Sequence, residues 1–305
     1  ASGELRVRTI AAGVSFAELL MREGIHPEKT TLPFTPGWDI VGIVDEAGEG
    51  ASHAMVGKMV AALPIHGGYA QFICLPEDEL TPVPTGVDPA EAVSLVLNYV
   101  TAYQMMHRLG HASAGQRVLI HGAAGGVGTA LLQLGRLAGL EMYGTASLAS
   151  HQIVSDLGAM PIDYERDDFV KEIHRLTSDG VDVVFDGVGE ANVWRSFRTL
   201  RPGGRVIAYG FTSFLRKGQL AGGLRYRLRG ILRPAWYAVR AFVSPGRRRI
   251  LPYSIQYLKR WKLAWFREDL GALLELLRDG TIKPMVAERI PLTEARRAQE
   301  LPGQG

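Results

Sequence analysis

Cysteine is almost absent from this chain, which carries only Cys74. One cysteine cannot form an intramolecular disulfide, and it excludes a zinc lobe built from several cysteines. No nucleophile motif surrounds it, so we interpret it as a small apolar residue of a strand over Tyr69–Leu75. The scarcity of cysteine predicts a cytoplasmic protein.

Long apolar runs are missing as well. No run of about 18 uncharged apolar residues occurs, so we expect no membrane span. The first residues, Ala1–Arg8, lack a signal-peptide pattern and enter directly on an alternating, strand-like segment. With 305 residues, of which 47% are hydrophobic, the chain is long enough for two domains with their own cores.

Acidic residues are absent from Ala191–Arg267, although this segment contains 18 Lys and Arg. The rest of the chain holds 16 basic and 31 acidic residues, so the net charge of +3 conceals two regions of opposite charge. Such a basic block can face nucleic acid, an anionic membrane surface or an acidic ligand. Because no recognised nucleic-acid-binding motif accompanies it, we expect no nucleic acid partner.

The spacing of apolar residues predicts a basic amphipathic helix at the end of this block. Four residues share its apolar face: Ile255, Leu258, Trp261 and Trp265. Such a helix can lie on anionic lipid as a peripheral contact. Alternatively, its apolar face lines a substrate pocket or a dimer interface.

A glycine-rich turn follows a short apolar run, Val118–Ile120, that is typical of a buried strand. After the turn, Thr129–Ala138 has the apolar spacing of a helix. Gly125 and Gly128 hold the second and third places of G-x-G-x-x-G, with Ala123 in the first. The second glycine lets the backbone approach a pyrophosphate, and the third lets helix and strand pack closely. This context favours dinucleotide binding over a merely flexible connection. The residues predicted to contact the cofactor here are Ala124, Gly125, Gly126 and Val127.

Strands and helices alternate after this turn. The predicted elements are strand Met142–Thr145, helix Ser150–Leu157, strand Val181–Phe185, helix Ala191–Leu200 and strand Arg205–Tyr209. Such alternation predicts an α/β fold with a doubly wound parallel sheet. Before Pro84, short strands punctuated by glycine and proline predict a β-rich, barrel-like domain instead.

Eight motifs occur along the chain in a fixed order. They are Ala11–Ser15, Pro36–Val44, Gly67–Ala70, Thr101–Tyr103, Ala123–Gly128, Leu157–Ala159, Val181–Asp186 and Leu200–Arg205. In order and spacing they resemble the medium-chain dehydrogenases and reductases, specifically the zinc-free quinone oxidoreductase (zeta-crystallin-like) branch. The resemblance implies a GroES-like catalytic domain formed by residues 1–97 and 268–305. It implies a Rossmann domain over residues 98–267, with a basic insertion at about 214–267 that is longer than the family norm.

The residues at the end of the second strand of the nucleotide fold indicate which dinucleotide binds. Enzymes that prefer NAD usually place an acid about 20 residues beyond the glycines, to hold the ribose 2′-hydroxyl. The segment Gly144–His151 contains no acid. A 2′-phosphate can therefore be accepted, with Ser147, Ser150 and His151 as donors, although helix capping alone is the alternative role for each. The pattern predicts NADPH.

The resemblance implies further cofactor contacts. Asn98 and Thr101 would lie near the nicotinamide ribose, and Tyr164 along the adenosine. Ligands bind beyond the carboxyl ends of strands in open α/β sheets, so backbone there is expected to pair with the nicotinamide carboxamide. The residues expected at this place are Val188, Gly210 and Phe211.

Zinc ligands of the family's metal-binding branch correspond here to Ser15, Trp38 with Asp39, and the neighbourhood of Leu97 and Asn98. An indole cannot ligate zinc, so we expect no metal. Ser15 and Thr101 are predicted to position the substrate. Two further phenols, Tyr69 and Tyr103, are predicted to pack in a strand and a helix.

The resemblance implies reduction of a small-molecule quinone or α,β-unsaturated carbonyl compound by direct hydride transfer, in a homodimer. Two alternatives remain open. One is an enoyl-thioester reductase, because the basic block could attract a phosphopantetheine or coenzyme A. The other is a membrane-associated cofactor-binding protein with little turnover, since a vesicle-membrane branch of the family carries a long insertion at the same place.

Overall fold

The computed structural model describes residues 2–24, 26, 31–189, 191–210 and 246–301. The chain divides into two compact units, Ala1–Val100 with Ile255–Gly305 and Thr101–Ser254. Phe211 and much of the predicted insertion lie outside the described residues. No described helix combines the length and the apolar character that a membrane span requires.

The first unit contains an antiparallel sheet. Its strands are β1 (Glu4–Ala12), β2 (Ile40–Ala47), β3 (Met59–Ala62), β4 (Phe72–Pro76) and β5 (Thr81–Pro82), in the order β4-β1-β2-β3-β5. Alternation along β1 buries Leu5 and Val7 against Ile40 and Val44, while Arg6 faces solvent. The predicted β-rich domain is confirmed.

The second unit contains a parallel sheet. Its strands are β6 (Arg117–His121), β7 (Glu141–Ala146), β8 (Ala159–Asp163), β9 (Val181–Asp186), β10 (Leu200–Ala208) and β11 (Arg249–Pro252), in the order β11-β10-β9-β6-β7-β8. The chain runs outward from β6 to β8 and then returns to place β9 on the other side of β6. The predicted doubly wound sheet is confirmed. Its strand order reverses between β6 and β9, and ligands bind beyond the carboxyl ends at such a point.

Helices cover both sheets. The α-helices of the described residues are Phe16–Arg22, Pro89–Ser94, Val100–Tyr103, Gly126–Leu137, His151–Asp156, Phe169–Thr177, Ala191–Arg198, Ile255–Trp261, Leu263–Arg278 and Ala295–Glu300. Two π-helical segments, Leu95–Tyr99 and Gln104–Leu109, continue the helical run that begins at Pro89 after its N-cap Asp88. In the second unit, Phe169 and Phe197 pack onto Leu119 of the sheet and form its apolar core.

The predicted single amphipathic helix near residue 260 is wrong. The helix Ile255–Trp261 ends before Lys262, whose φ of −141° and ψ of 51° are not helical, and Leu263–Arg278 then begins a new helix. Ile255 is buried, whereas Trp261 is 73% exposed, so the apolar residues do not form one buried face. Neither Pro nor Gly marks this break, and periodicity alone could not reveal it. Contact with an anionic membrane stays a prediction.

Candidate functional site

The glycine-rich turn connects β6 to the helix Gly126–Leu137, as predicted. Gly122 adopts a φ of +65°, and the Gly125 N–H donates to the Gly122 carbonyl oxygen at 3.0 Å. Gly125 is the N-cap residue, and no described side chain caps the helix start. Gly125 and Gly126 are exposed. The turn therefore presents N–H groups and the positive end of a helix dipole to solvent, which suits an anion.

Close packing explains two other glycines of this region. A Cβ at Gly128 would lie 2.2 Å from the Gly122 carbonyl oxygen and 2.6 Å from that of Ala123. A Cβ at Gly144 on β7 would lie 2.6 Å from the Ala123 Cβ. Ala123 can therefore replace the first glycine of the motif because the neighbouring strand leaves room for its methyl group.

Three predicted donors follow the carboxyl end of β7. Ser147 and Ser150 place their hydroxyl oxygens 3.4 Å apart, and His151 begins the next helix. The His151 Nε2 is buried and has no hydrogen-bond partner among the described residues. Buried polar atoms are rarely left unpaired in folded proteins. This cluster, which contains no acid, therefore fits an anionic ligand such as a 2′-phosphate.

The backbone after β9 is partly committed to internal hydrogen bonds. The N–H groups of Val188 and Gly189 donate to the Asp186 Oδ1 at 2.9 and 3.0 Å. Of the two backbone groups of Val188, the N–H is therefore already used, and the carbonyl oxygen is left for the predicted pairing with a carboxamide. After β10, a Cβ at Gly210 would lie 2.0 Å from the Gly187 carbonyl oxygen, so the two strand ends approach each other closely. The role of Phe211 lies outside the described residues.

The remaining predicted cofactor residues are divided between the two units. Asn98 is half-buried in a π-helical segment of the first unit. Thr101 is buried in the second unit, on the helix Val100–Tyr103. Tyr164 follows β8, and 38% of it is exposed, so it is not simply a packed aromatic. Their contacts with a cofactor stay predictions.

Ser15 is a helix cap in this structure. Its Oγ accepts a hydrogen bond from the Glu18 N–H, and the Glu18 carboxylate accepts one from the Ser15 N–H, each at 3.4 Å. This reciprocal capping box starts the helix Phe16–Arg22. The cap gives the hydroxyl a structural role, and its predicted role in positioning substrate stays a prediction.

Glu18 is a buried residue that the sequence analysis did not single out. Its Oε1 accepts from the Trp38 N–H at 2.9 Å, and its Oε2 accepts from the Tyr69 hydroxyl at 2.8 Å. Burial raises the pKa of Glu18. Tyr69 precedes β4, which starts at Phe72, so the prediction that it only packs in a strand is wrong. The spacing Ser15-x-x-Glu18, a capping-box signature, could have identified the carboxylate.

Asp39 is a second buried carboxyl group in the same unit. Its Oδ1 accepts from the Gly13 N–H at 3.1 Å. Burial, reinforced by the nearby Glu18 charge, raises the pKa of Asp39 to about 8. Its neighbour Trp38 directs the indole Nε1 onto the Met21 sulfur at 3.0 Å.

These residues do not suit zinc. Trp38 offers an N–H donor rather than a lone pair, and the Ser15 hydroxyl serves as a helix cap. Among the described residues, no three His, Cys, Asp or Glu side chains are grouped so that they could hold a metal ion. Zinc independence stays a prediction.

Burial of Asp39 has a testable effect on stability. Its pKa rises from an ordinary value of 3.8 to about 8 on folding, so the folded state retains a proton that the unfolded state releases between these limits. The free energy of unfolding should therefore fall as pH rises from about 4 to about 8. We expect Asp39→Asn to lose this pH dependence and to gain stability relative to the parent protein across that range. Urea denaturation at about pH 5 and about pH 8.5 measures it.

The exposed carboxyl group of Asp45, which pairs with Arg6, provides a matched control. Asp45→Asn should keep the pH dependence of the parent protein, since Asp39 is unchanged. A stability difference between Asp39→Asn and the parent that is the same at both pH values would contradict this account.

Comparison with known proteins agrees with this geometry. Residues 1–85 match the family described as alcohol dehydrogenase GroES-like domain, and residues 157–305 match the family described as zinc-binding dehydrogenase. The synaptic vesicle membrane protein VAT-1 homolog of Homo sapiens is 32% identical over 93% of this chain and 72% of its own length. Its counterpart from Danio rerio is 31% identical over 98% of this chain, which spans 62% of that relative. The crystal structure of Escherichia coli quinone oxidoreductase complexed with NADPH has a TM-score of 0.82 and 26% identity, covering 98% of this chain and 88% of that one.

An antiparallel GroES-like sheet joined to a doubly wound parallel sheet with a glycine-rich first turn defines the class, the medium-chain dehydrogenases and reductases. This chain belongs to the quinone oxidoreductase branch of that family. The resemblance predicted from its motifs is confirmed. The family is one of oxidoreductases.

Proposed function

We propose that this protein is an NADPH-dependent oxidoreductase that reduces quinones or α,β-unsaturated carbonyl compounds by direct hydride transfer, without zinc. The observation that carries the proposal is the acid-free cluster after β7, in which the buried His151 Nε2 has no partner among the described residues. A phosphate oxygen on the ribose would accept from this nitrogen and from the hydroxyls of Ser147 and Ser150. The NADPH bound to the Escherichia coli relative supports the same class of cofactor.

Each part of the dinucleotide has residues that suit it. The exposed turn at Gly125 and Gly126 suits the pyrophosphate, which the N–H groups of Gly126 and Val127 at the helix start can meet, whereas the Gly125 N–H is bonded to the Gly122 carbonyl oxygen. The Val188 carbonyl oxygen suits the amide N–H of a carboxamide. When bound, the nicotinamide supplies a hydride to the substrate.

Orientation is the main contribution of the protein in this proposal. Holding the hydride donor and acceptor about 3–3.5 Å apart in a dry site can supply about 7–11 kcal/mol. Negative charge that develops on the substrate oxygen can be met by water or by backbone N–H groups. A reduced quinone takes its protons from solvent, so no side chain has to deliver them.

Cofactor titration tests the proposal directly. We expect NADPH to bind at least about tenfold more tightly than NADH, which corresponds to about 1.4 kcal/mol. The variant His151→Ala should weaken NADPH and leave NADH unchanged, because only NADPH carries the 2′-phosphate. As a control, His174→Ala removes an exposed imidazole that bonds the Arg198 carbonyl and should change neither constant. Equal constants for the two cofactors in the parent protein would reject the NADPH preference.

The proposed mechanism has no essential proton donor. We therefore expect Ser15→Ala, Tyr69→Phe and Tyr103→Phe each to retain at least about a tenth of the turnover number. Steady-state kinetics with a quinone at saturating NADPH provides the measurement, and thermal unfolding shows whether Tyr69→Phe weakens the fold through Glu18. A loss of about a thousandfold in any one variant, with cofactor affinity unchanged, would reveal a dedicated donor.

A substrate panel separates the alternatives. Turnover of enoyl thioesters but not of quinones or enones would favour an enoyl-thioester reductase. Tight NADPH binding without turnover of any compound would favour a membrane-associated cofactor-binding protein. For the assembled protein we propose a homodimer, which sedimentation equilibrium can test.

A further inference from the structure

A continuous chain of hydrogen bonds lies buried at the carboxyl ends of three strands of the parallel sheet. The His121 ring, at the end of β6, is at its centre. Its Nδ1 lies 3.0 Å from the Thr145 Oγ1 on β7, and its Nε2 lies 3.0 Å from the Ser196 Oγ. The Gly122 N–H donates to the Thr145 Oγ1 at 3.3 Å, and the Ser196 hydroxyl donates to the Asp186 Oδ2 on β9 at 2.7 Å. All four side chains are buried.

The hydrogen bonds of this series all run in one direction, from the Gly122 N–H towards the Asp186 carboxylate. The Asp186 carboxylate can only accept, so the Ser196 hydroxyl gives it its proton and must accept from the His121 Nε2–H. A neutral imidazole then has an acceptor at Nδ1, to which the Thr145 hydroxyl donates. The Thr145 oxygen is left to accept from the Gly122 N–H. Each group donates once along the chain, which requires His121 to be neutral with its proton on Nε2.

The surroundings of His121 keep the ring neutral. The Phe169 ring meets it edge to face, with centroids 4.6 Å apart, and the Arg195 guanidinium lies 4.4 Å from the centroid of Phe169. Burial lowers the pKa of His121, and the charge of Arg195 lowers it further, against the opposing effect of Asp186. Arg195 also pairs with Asp168 at 2.9 Å, which fixes its position over the ring.

The two ends of the hydrogen-bond chain hold two different turns of the backbone. Gly122 opens the glycine-rich turn, where the pyrophosphate is proposed to bind. At the other end, the Asp186 Oδ1 holds the N–H groups of Val188 and Gly189, next to the carbonyl oxygen proposed for the carboxamide. The Asn192 side-chain amide donates to the Asp186 Oδ2 at 3.1 Å and completes the bonding of the carboxylate. The hydrogen-bond chain therefore connects the regions proposed for the pyrophosphate and the carboxamide of one dinucleotide.

We propose that His121 is a positioning residue that, as a neutral imidazole, holds the glycine-rich turn and the 187–189 turn in register, so that one dinucleotide engages both. The inference rests on the proposed function, because it assigns the two turns to one cofactor. It predicts that breaking the chain weakens a ligand that spans both turns and spares a ligand that reaches only one.

Two ligands distinguish positioning from a general structural role. NADPH spans both turns, whereas ADP-ribose 2′-phosphate lacks the nicotinamide and reaches only the glycine-rich turn and the cluster after β7. We expect Thr145→Val and Ser196→Ala each to weaken NADPH about tenfold while changing the affinity for ADP-ribose 2′-phosphate less than about twofold. Thr145→Ser keeps the hydroxyl and serves as the matched control with unchanged affinity for both ligands.

Combining the substitutions tests whether His121 connects the two ends. Once one link is broken, breaking the other should cost little, so the double variant should weaken NADPH about tenfold rather than about a hundredfold. Equal weakening of both ligands, weakening of neither, or multiplicative losses would overturn the inference while leaving the proposed function intact. Absence of NADPH binding to the parent protein would overturn both.

The tautomer of His121 gives a second measurement that does not depend on any substitution. Nitrogen-15 spectra of histidine-labelled protein should show a neutral His121 ring protonated at Nε2 at about pH 6.5, where an ordinary histidine is half protonated. A ring protonated at Nδ1, or at both nitrogens, would overturn the inference.

Discussion

Gly128→Ala should cost about 3 kcal/mol or more of folding stability. The added Cβ would lie 2.2 Å and 2.6 Å from two carbonyl oxygens, those of Gly122 and Ala123. Both belong to the backbone of a tight turn, so neither can rotate away as a side chain would. The helix Gly126–Leu137 would have to move off β6. Urea denaturation monitored by circular dichroism provides the measurement.

Gly271 offers the same substitution without the collision. It lies in the helix Leu263–Arg278, and no described atom outside its own stretch of that helix would come within 4 Å of its added Cβ. Gly271→Ala should be neutral or stabilising by up to about 1 kcal/mol, because alanine favours the helix. If both variants unfold at the urea concentration of the parent protein, the tight contact at Gly128 is not a constraint on the fold.

Gly125→Val should weaken NADPH by about a hundredfold or more, which corresponds to about 2.7 kcal/mol. The valine side chain would occupy the space beside the exposed turn into which a pyrophosphate must enter. The fold should survive, because Gly125 has an ordinary φ of −79° and the one described atom near its added Cβ is the Gly122 carbonyl oxygen at 3.3 Å.

Fluorescence titration with NADPH, alongside thermal unfolding, separates binding from stability in this variant. Gly125→Ala should show a smaller loss of affinity, since it adds one methyl group rather than three carbon atoms. If Gly125→Val binds NADPH as tightly as the parent protein, the pyrophosphate does not approach this turn.

Local patterns were sufficient to predict most of the fold. The run Val118–Ile120, the glycines that follow it and the spacing of Thr129–Ala138 each depend on neighbours in sequence, and the structure forms strand, turn and helix there. By contrast, the interruption at Lys262 depends on backbone angles that apolar spacing does not encode. The apolar spacing continues across Lys262, so it predicted one helix where the structure has two.

The candidate site was harder to predict because several of its hydrogen bonds join residues far apart in sequence. Tyr69 has the features of a packed aromatic until Glu18, which is 51 residues away, is placed beside its hydroxyl. At shorter range, the Val188 N–H donates to the carboxylate of Asp186, two residues before it, in a turn that apolar spacing does not reveal. Asp186, an acidic residue at the end of the strand Val181–Asp186, was the available signal, since a buried charge requires donors nearby.

The fit between Ala123 and Gly144 restricts the order in which this region can evolve. Since a Cβ at residue 144 would lie 2.6 Å from the Ala123 methyl group and 2.9 Å from the Val154 Cγ1, a side chain can be gained there only after residue 123 has become glycine and the Val154 side chain has moved. A relative with the full three-glycine motif loses the closer of these two obstacles to alanine or serine on the second strand, and one with alanine in the first place keeps both. The two positions should therefore vary together, as a pair linked across adjacent strands rather than along the motif.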